Sequence, residues 1–511
     1  MSAQADEFWI AMQSKTLNDR CPSFPIAAVI RNFPENITPP VHLTKTTCTT
    51  AHFPCHLETS THLAYYETMK VMVVGNGGRE HTIAWKLAQS DEVEQVICVP
   101  GNGGTALENK CKNKSLSEGT YVSIAKEENC SMVVIGPENP LADGLADEFW
   151  AEEIPAVGPK KAAAQLEASK DLAKEFMSKY GVACAKSKTF TDENEALAYI
   201  EEQGAPIVIK ADGLAAGKGV IVAQTLEDAR LAVKELMEEN KVGDAGKKLV
   251  IEEYLRGTEV SILAAVSVTP EHATDGTACI IPFVSARDHK RLEEGAKGPN
   301  TGGMGAVAPV DDFTPAIQEQ FKKNILEPTL KGLIAEGYDY RGFIFFGLML
   351  TPDGPKCLEY NVRLGDPETQ AVLPLMDFDF AKMCKAIAEG TLSTFDFKWK
   401  KGYSVAPVAV SGGYPNIYKK GIQISIDENP LKETGAKLFI AGAIEDRRRD
   451  RRPASAIPSL ITSGGRVLAC SAQGETFTQA WNDAYKALAC IKFSGMYYRK
   501  DIGLPGAAES N

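Results

Sequence analysis

Two lysines in a loop of small residues carry the strongest chemical signal in this chain. The run Ile207-Val208-Ile209-Lys210-Ala211-Asp212-Gly213-Leu214-Ala215-Ala216-Gly217-Lys218-Gly219-Val220 reads as a buried β-branched strand, a loop and a second strand. A loop with so little side-chain bulk can lay its N–H groups against phosphate oxygens while Lys210 and Lys218 neutralise them. It is not a P-loop, because no Gly-Lys-Ser/Thr follows and the loop leads into a strand rather than a helix. Much further along, Lys356-Cys357-Leu358-Glu359-Tyr360-Asn361-Val362-Arg363-Leu364-Gly365-Asp366-Pro367-Glu368-Thr369-Gln370 offers the complement. Alternation along a strand puts Glu359, Asn361 and Arg363 on one face. A carboxylate and a nearby amide oxygen suit a hard cation such as Mg²⁺, which bridges nucleotide phosphates. Arg363 can hold a phosphoryl group or a carboxylate bidentately. Either run alone also reads as plain structure, a Gly-rich hairpin or a half-exposed strand. Together they describe one site.

The elements that position these groups follow from the pattern around them. The loop Gly75-Asn76-Gly77-Gly78-Arg79-Glu80-His81 follows a strand at 70–75 and precedes an expected helix at 82–90. Its glycines permit a tight turn, the helix start attracts an anion and Arg79 supplies a charged fork. The spacing does not match a dinucleotide fingerprint, and no acid follows the next strand, where Ile97-Cys98-Val99-Pro100 stands. A mononucleotide or sugar-phosphate pocket fits better, and a purely structural turn fits the same residues. From Met69 to about Ser169 strands at 96–99 and 132–135 alternate with helices, which predicts a parallel sheet with ligands beyond its carboxyl ends. Residues 170–389 form a second block that opens on an Ala/Lys/Glu helix and includes a strand at 248–255. A third block, 390–503, has strands at 404–410 and 467–471 and a helix at 476–489, followed by a tail at 504–511.

At 511 residues the chain is too long for one core. A net charge of −12 argues against general binding to nucleic acid or membrane surfaces, so any phosphate must be held by local cations. The apolar run at 343–350 is too short to span a bilayer. The twelve cysteines are scattered singly, which suits reduced thiols rather than disulfides or zinc ligands. Residues 1–68 are Thr-rich, hold four of the seven histidines and show no periodicity. They read as a disordered leader or an organelle presequence. The expected location is cytoplasmic, with plastid or mitochondrion as the alternative if 1–68 is a presequence, although its acidic residues fit a transit peptide poorly.

From Met69 to Gly503 the chain strongly resembles the phosphoribosylamine–glycine ligases (glycinamide ribonucleotide synthetases), ATP-grasp enzymes of purine synthesis. The resemblance rests on Gly77-Gly78-Arg79-Glu80-His81, Gly136-Pro137-Glu138, Lys210 to Val220, Asp288-His289-Lys290-Arg291, Gly298-Pro299-Asn300-Thr301-Gly302-Gly303-Met304-Gly305-Ala306, Glu359 to Gln370, Ser411-Gly412-Gly413-Tyr414-Pro415 and Thr462-Ser463-Gly464-Gly465-Arg466-Val467. It implies an α/β fold: an N-terminal parallel α/β substrate domain (69–169), a two-lobed ATP-grasp domain (170–389) and a small C-terminal α+β domain (390–503).

The resemblance also implies roles. Lys170 and Lys210 would contact ATP phosphates, under a flap formed by Gly213, Leu214, Ala215, Ala216, Gly217 and Lys218. Glu252, Glu253 and Leu255 would line the adenine edge, with Glu259 near the ribose. Glu359 and Asn361 would ligate Mg²⁺ or Mn²⁺. Asn300, Thr301, Gly302, Asp288, Lys290, Arg363 and Asp366 would surround glycine and the reacting phosphoryl group, with Arg363, Lys210, Asp288 and Lys290 as the catalytic set. Gly75, Gly77, Gly78, Arg79 and Glu80 would bind the 5′-phosphate of phosphoribosylamine. The partners implied are these small molecules, with no nucleic acid or membrane, in a monomer or weak homodimer. Another ATP-grasp carboxylate–amine ligase and a catalytically impaired homologue are the alternatives.

Two departures from the family pattern stand out. An acid is expected where Ala296 stands, and an Arg-rich insert occupies 445–458 where a brief turn is usual.

Overall fold

A computed structural model describes residues 68–214, 219–238, 243–446 and 459–507. The first sheet is parallel throughout. Strands β1 (Met69–Gly75), β2 (Val93–Pro100), β3 (Cys111–Asn113), β4 (Met132–Ile135) and β5 (Ala156–Val157) lie in the order β3-β2-β1-β4-β5. Val71 to Gly75 are all buried, as expected for a strand covered by helices on both faces. The order turns back beside β1, so the carboxyl ends of β1 and β4 form the switch-point crevice where such sheets bind ligands. Gly75–Arg79 and Gly136–Glu138 stand there.

The second sheet is antiparallel and small. β6 (Ser187–Phe190), β7 (Ile207–Ala211), β8 (Val220–Ala223) and β9 (Leu249–Glu253) lie in the order β6-β9-β7-β8. Helices Glu193–Gln203 and Leu226–Met237 cover it, and Phe190, Ile200, Ile209, Val233, Leu249 and Ile251 form a core of its own.

The remaining strands are β10 (Thr258–Val268), β11 (Cys279–Asp288), β12 (Arg291–Glu293), β13 (Lys297–Asn300), β14 (Gly305–Ala308), β15 (Tyr340–Thr351), β16 (Gly354–Asn361), β17 (Tyr403–Val410), β18 (Gln423–Ile426), β19 (Lys437–Ile440), β20 (Ala443–Glu445), β21 (Leu460–Thr462), β22 (Arg466–Gly474) and β23 (Ile491–Lys492). Eight of them form one antiparallel sheet, β16-β15-β10-β11-β14-β17-β22-β19, so hydrogen bonding runs unbroken from residues near 360 to those near 440. Alternate residues of β10 and β15 enter two different cores. Ile262, Ala264, Ile344 and Phe346 face one, and Leu263, Ala265, Phe343 and Phe345 face the other. β12 and β13 form a separate hairpin, and β20-β21-β18-β23 close the C-terminal end.

Candidate active site

A cleft of about 600 Å³ gathers residues from the second and third sheets. β7 brings Lys210, the start of helix Lys170–Tyr180 brings Lys170, the segment after β11 brings Lys290, and β16 brings Glu359 and Asn361. Lys210 and Glu359 therefore face the same space. Lys210 Nζ lies 2.9 Å from one oxygen of Glu252, and Lys174 Nζ lies 3.1 Å from the other. All three side chains are buried.

Charge is balanced tightly in this cleft. Burial works against the Lys210 ammonium, but Glu252 and Glu359 outweigh it and hold Lys210 above its ordinary range. Burial pushes Glu359 up, and Lys290, Lys210 and Lys170 together bring it below the usual carboxylate range. Lys170 is lowered by burial, only partly offset by Glu359, and its Nζ donates to the Gly213 carbonyl at 2.8 Å. Glu359 thus stands among one buried lysine, Lys210, and two half-buried ones, Lys170 and Lys290, a grouping of cations that suits a polyanion.

Arg363 Nη2 donates to Asn361 Oδ1 at 2.9 Å, and Asn361 Nδ2 donates to Glu359 Oε1 at 3.4 Å. The three side chains share one face. Among the described residues, no group of three or more His, Cys, Asp or Glu side chains is placed to hold a metal. Glu359 and Asn361 supply two oxygens, which fits a divalent cation that completes its shell from phosphate and water.

Asn300, Thr301, Gly302, Asp288, Asp366 and Arg363 line the same cleft, as do Gly213, Leu214, Glu252, Glu253, Leu255 and Glu259. Lys290 pairs with Glu259 at 2.6 Å. Gly303 has φ +113°, and a Cβ there would meet Pro367 Cδ at 2.4 Å and Asp288 Oδ1 at 2.6 Å, so only glycine fits. Burial drives the carboxyls of Asp288 and Glu368 upward, and for Asp288 the neighbouring Glu368 adds to it. Residues 215–218, and with them Ala215, Ala216, Gly217 and Lys218, lie outside the described residues.

The first glycine loop differs from expectation. Gly78 to His81 form the first turn of helix Gly78–Leu87, rather than a loop before a helix at 82. Glu80 anchors this turn: its carboxylate accepts the N–H of the N-cap residue Gly77 at 2.6 Å, the one half of a capping box that a glycine N-cap allows, and lies 2.5 Å from Arg79 Nε. Asp366 accepts the Arg79 backbone N–H. Arg79 lines the cleft, whereas Gly75, Gly77, Gly78 and Glu80 are not among its lining residues.

The histidines within the motifs are structural pins. His289 Nε2 accepts the Gly503 N–H at 2.9 Å, so its hydrogen sits on Nδ1, 3.2 Å from the Gly305 carbonyl. His81 accepts the Ile440 N–H at 2.8 Å and faces Glu108 at 3.0 Å.

Sequence reasoning passed over several lining residues: Glu138, Glu167, Lys174, Glu368 and Arg466. Glu138, Glu368 and Arg466 stood inside quoted motifs. Glu167 and Lys174 lie in Lys/Glu-rich helices that look like any solvated helix.

Comparison with known proteins accounts for the whole arrangement. Residues 69–167 match the N domain of phosphoribosylglycinamide synthetase, 168–369 its ATP-grasp (A) domain and 404–505 its C domain. A phosphoribosylamine–glycine ligase of Clostridium acetobutylicum is 47% identical over 436 residues, covering 85% of this chain and 99% of the relative. One from Nostoc sp. is 46% identical, covering 85% and 99%.

The chain belongs to the phosphoribosylglycinamide synthetase family.

The crystal structure of the Thermotoga maritima phosphoribosylamine–glycine ligase superposes with a TM-score of 0.71 at 33% identity, over 85% of this chain and 100% of that one. A biotin carboxylase domain from Hydrogenobacter thermophilus, solved with MgADP, reaches 0.62 at 16% identity over 84% and 91%, a likeness of fold alone. The fold is α/β, and its middle region is an ATP-grasp domain. The large sheet is shared between the family's ATP-grasp and C-domain matches. Ala296, where the family resemblance led us to expect an acid, sits at the β12–β13 turn with φ +54°, a region that Asn and Asp tolerate better than Ala. Of the Arg-rich insert, Glu445 and Asp446 are described, and 447–458 lie outside the described residues. Among the described residues, no helix is long and apolar enough to cross a membrane.

Proposed function

We propose that this member of the family ligates glycine to 5-phosphoribosylamine, giving glycinamide ribonucleotide, ADP and phosphate in de novo purine (IMP) biosynthesis. One observation carries the reading: Lys210 and the Glu359–Asn361 pair, from distant strands, face one cleft together with Lys170, Lys290 and Arg363. Glycine carboxylate is a poor electrophile, so one of its oxygens attacks the γ-phosphorus of ATP and ADP departs. The amine of phosphoribosylamine then attacks the acyl carbon of the glycyl phosphate, loses a proton and expels phosphate. Lys170 and Lys210 hold the ATP phosphates, while Arg363 and Lys290 stabilise charge on the transferring group, where such catalysis acts. Glu359 and Asn361 would hold Mg²⁺ or Mn²⁺, which neutralises phosphate charge when bound. Glu253 and Leu255 line the adenine end. Glu252 serves chiefly to hold Lys174 and Lys210 in place.

On the acceptor side, Asn300 to Gly302, Asp288 and Asp366 surround glycine and the amine, and the loop at Gly75–Arg79 receives the 5′-phosphate. The Gly213–Lys218 flap excludes water from the acyl phosphate. The cytoplasm is the proposed location, and the mass of the mature N-terminus checks it. The deciding assay supplies the full chain with ATP, Mg²⁺, glycine and phosphoribosylamine and follows ADP. Release that depends on both acceptors supports the reading. Release indifferent to glycine points to another ATP-grasp ligase, and nucleotide binding without turnover to an impaired homologue.

A further inference from the structure

We propose that Glu167 is a positioning residue for this reaction, fixing Arg363 and, through it, the amide of Asn361. The proposal rests on the reading of Arg363 and Asn361 just given. Glu167 lies near the end of helix Lys161–Ala168, where the match to the N domain gives way to the match to the ATP-grasp domain. Its side chain is 7% exposed and holds two partners at once. Oε1 lies 2.9 Å from Arg363 Nη2, and Oε2 accepts the Val362 N–H at 2.7 Å. The carboxylate thus grips the backbone and the guanidinium of adjacent residues, setting both the path of the chain after β16 and the direction of the arginine.

The grip is passed on. Arg363 Nη2 donates to Asn361 Oδ1 at 2.9 Å. A guanidinium has no acceptor, so this contact forces the amide oxygen, not the nitrogen, toward Arg363 and leaves the nitrogen to face Glu359. Asn361 Oδ1 keeps a second lone pair for a cation, in an orientation dictated by the arginine. Glu138, the first residue of the helix Glu138–Asp143 that follows β4, lies 3.4 Å from Arg363 Nε, yet that nitrogen makes no hydrogen bond among the described residues. Glu138 is therefore a looser neighbour that cannot replace Glu167. Outer carboxylates that orient metal-site groups in this way typically matter about 10–100-fold to affinity or activity.

The test uses the full-length enzyme. Glu167→Gln keeps the volume and an acceptor for the Val362 N–H but loses the ionic contact. It is made in the wild type and in an Arg363→Lys background. In the wild type we expect kcat for glycine-dependent ADP release to fall about 10–100-fold while the KM for glycine moves less than about threefold. Mn²⁺ binding in the presence of ADP, read by electron paramagnetic resonance, should weaken by about tenfold. In the Arg363→Lys background the same change should cost less than about threefold, because the residue it acts through is already altered. A folded Glu167→Gln enzyme with wild-type kcat and Mn²⁺ affinity overturns the proposal, as do equal losses in both backgrounds. Should Glu167→Gln fail to fold, Glu167→Asp enters the same cycle under the same criteria. A wild-type enzyme that releases no ADP with glycine strikes the activity reading instead, and the Mn²⁺ measurement still decides the role of Glu167.

Discussion

Lowering the pH should loosen the segment that carries Asp288 and Lys290, through the histidine between them. Burial first, and then the Arg499 charge, depress His289 from 6.5 to about 3. A proton on Nε2 would confront the Gly503 N–H that it now accepts. In the unfolded chain the imidazole takes up its proton near 6.5, whereas in the folded chain it does so only near 3. Below 6.5 the unfolded state binds more protons, and stability falls as pH falls. From pH 8 to pH 5 this removes about 2 kcal/mol, and by pH 6 about 0.8 kcal/mol. The value at pH 5 scarcely depends on the folded pKa provided that it stays below about 4. His289→Gln removes the titration. The stability gap between wild type and variant, measured by urea unfolding, should shrink by about 2 kcal/mol between pH 8 and pH 5. His81, also buried and lowered, is present in both proteins and cancels. Exchange of the Gly503 amide should quicken over the same range. A gap constant to within about 0.5 kcal/mol across those pH values would refute the reasoning.

Other perturbations test the site itself. Glu359→Ala should cut glycine-dependent ADP release by at least about a hundredfold with an unchanged circular dichroism spectrum, and retained turnover removes the metal pair. Glu252→Ala strands Lys174 and Lys210 without their shared carboxylate and should destabilise the protein by about 3–5 kcal/mol in urea titrations. Gly303→Ala drives a methyl into Pro367 and Asp288, so kcat/KM for glycine should drop while ADP affinity, measured by calorimetry, holds. Lys218→Ala should weaken nucleotide binding more than it lowers the melting temperature; the reverse outcome removes the flap assignment.

What could be read from sequence was local and periodic. β7 and β16 were legible because β-branched runs and alternation are backbone-scale signals, and with them came Lys210, Glu359, Asn361 and Arg363. The helix start at Gly78 was placed four residues late, because the Glu80 cap operates through a side chain folded back on its own turn. Glu167 was invisible, and Arg466 stood in a motif without a role, for a different reason. Their meaning depends on partners far away in sequence, Val362 and Arg363 for one, Asp366 and Gly302 for the other. No spacing rule reaches that far. The continuity of the large sheet across the region near 390 was equally hidden, since β14 and β17 are separated by two strands and several helices.

That continuity restricts how the enzyme can breathe. Prying the C-terminal strands away would break a ladder of hydrogen bonds in the middle of a sheet, while His81 clasps its far edge at Ile440. Among the described residues, the four-stranded lobe carrying Lys210 has a core of its own and no ladder to the other sheets. A rigid-body turn of this lobe about its two connections, just before β6 and just after β9, would therefore open the cleft above Lys210 without breaking any sheet described above.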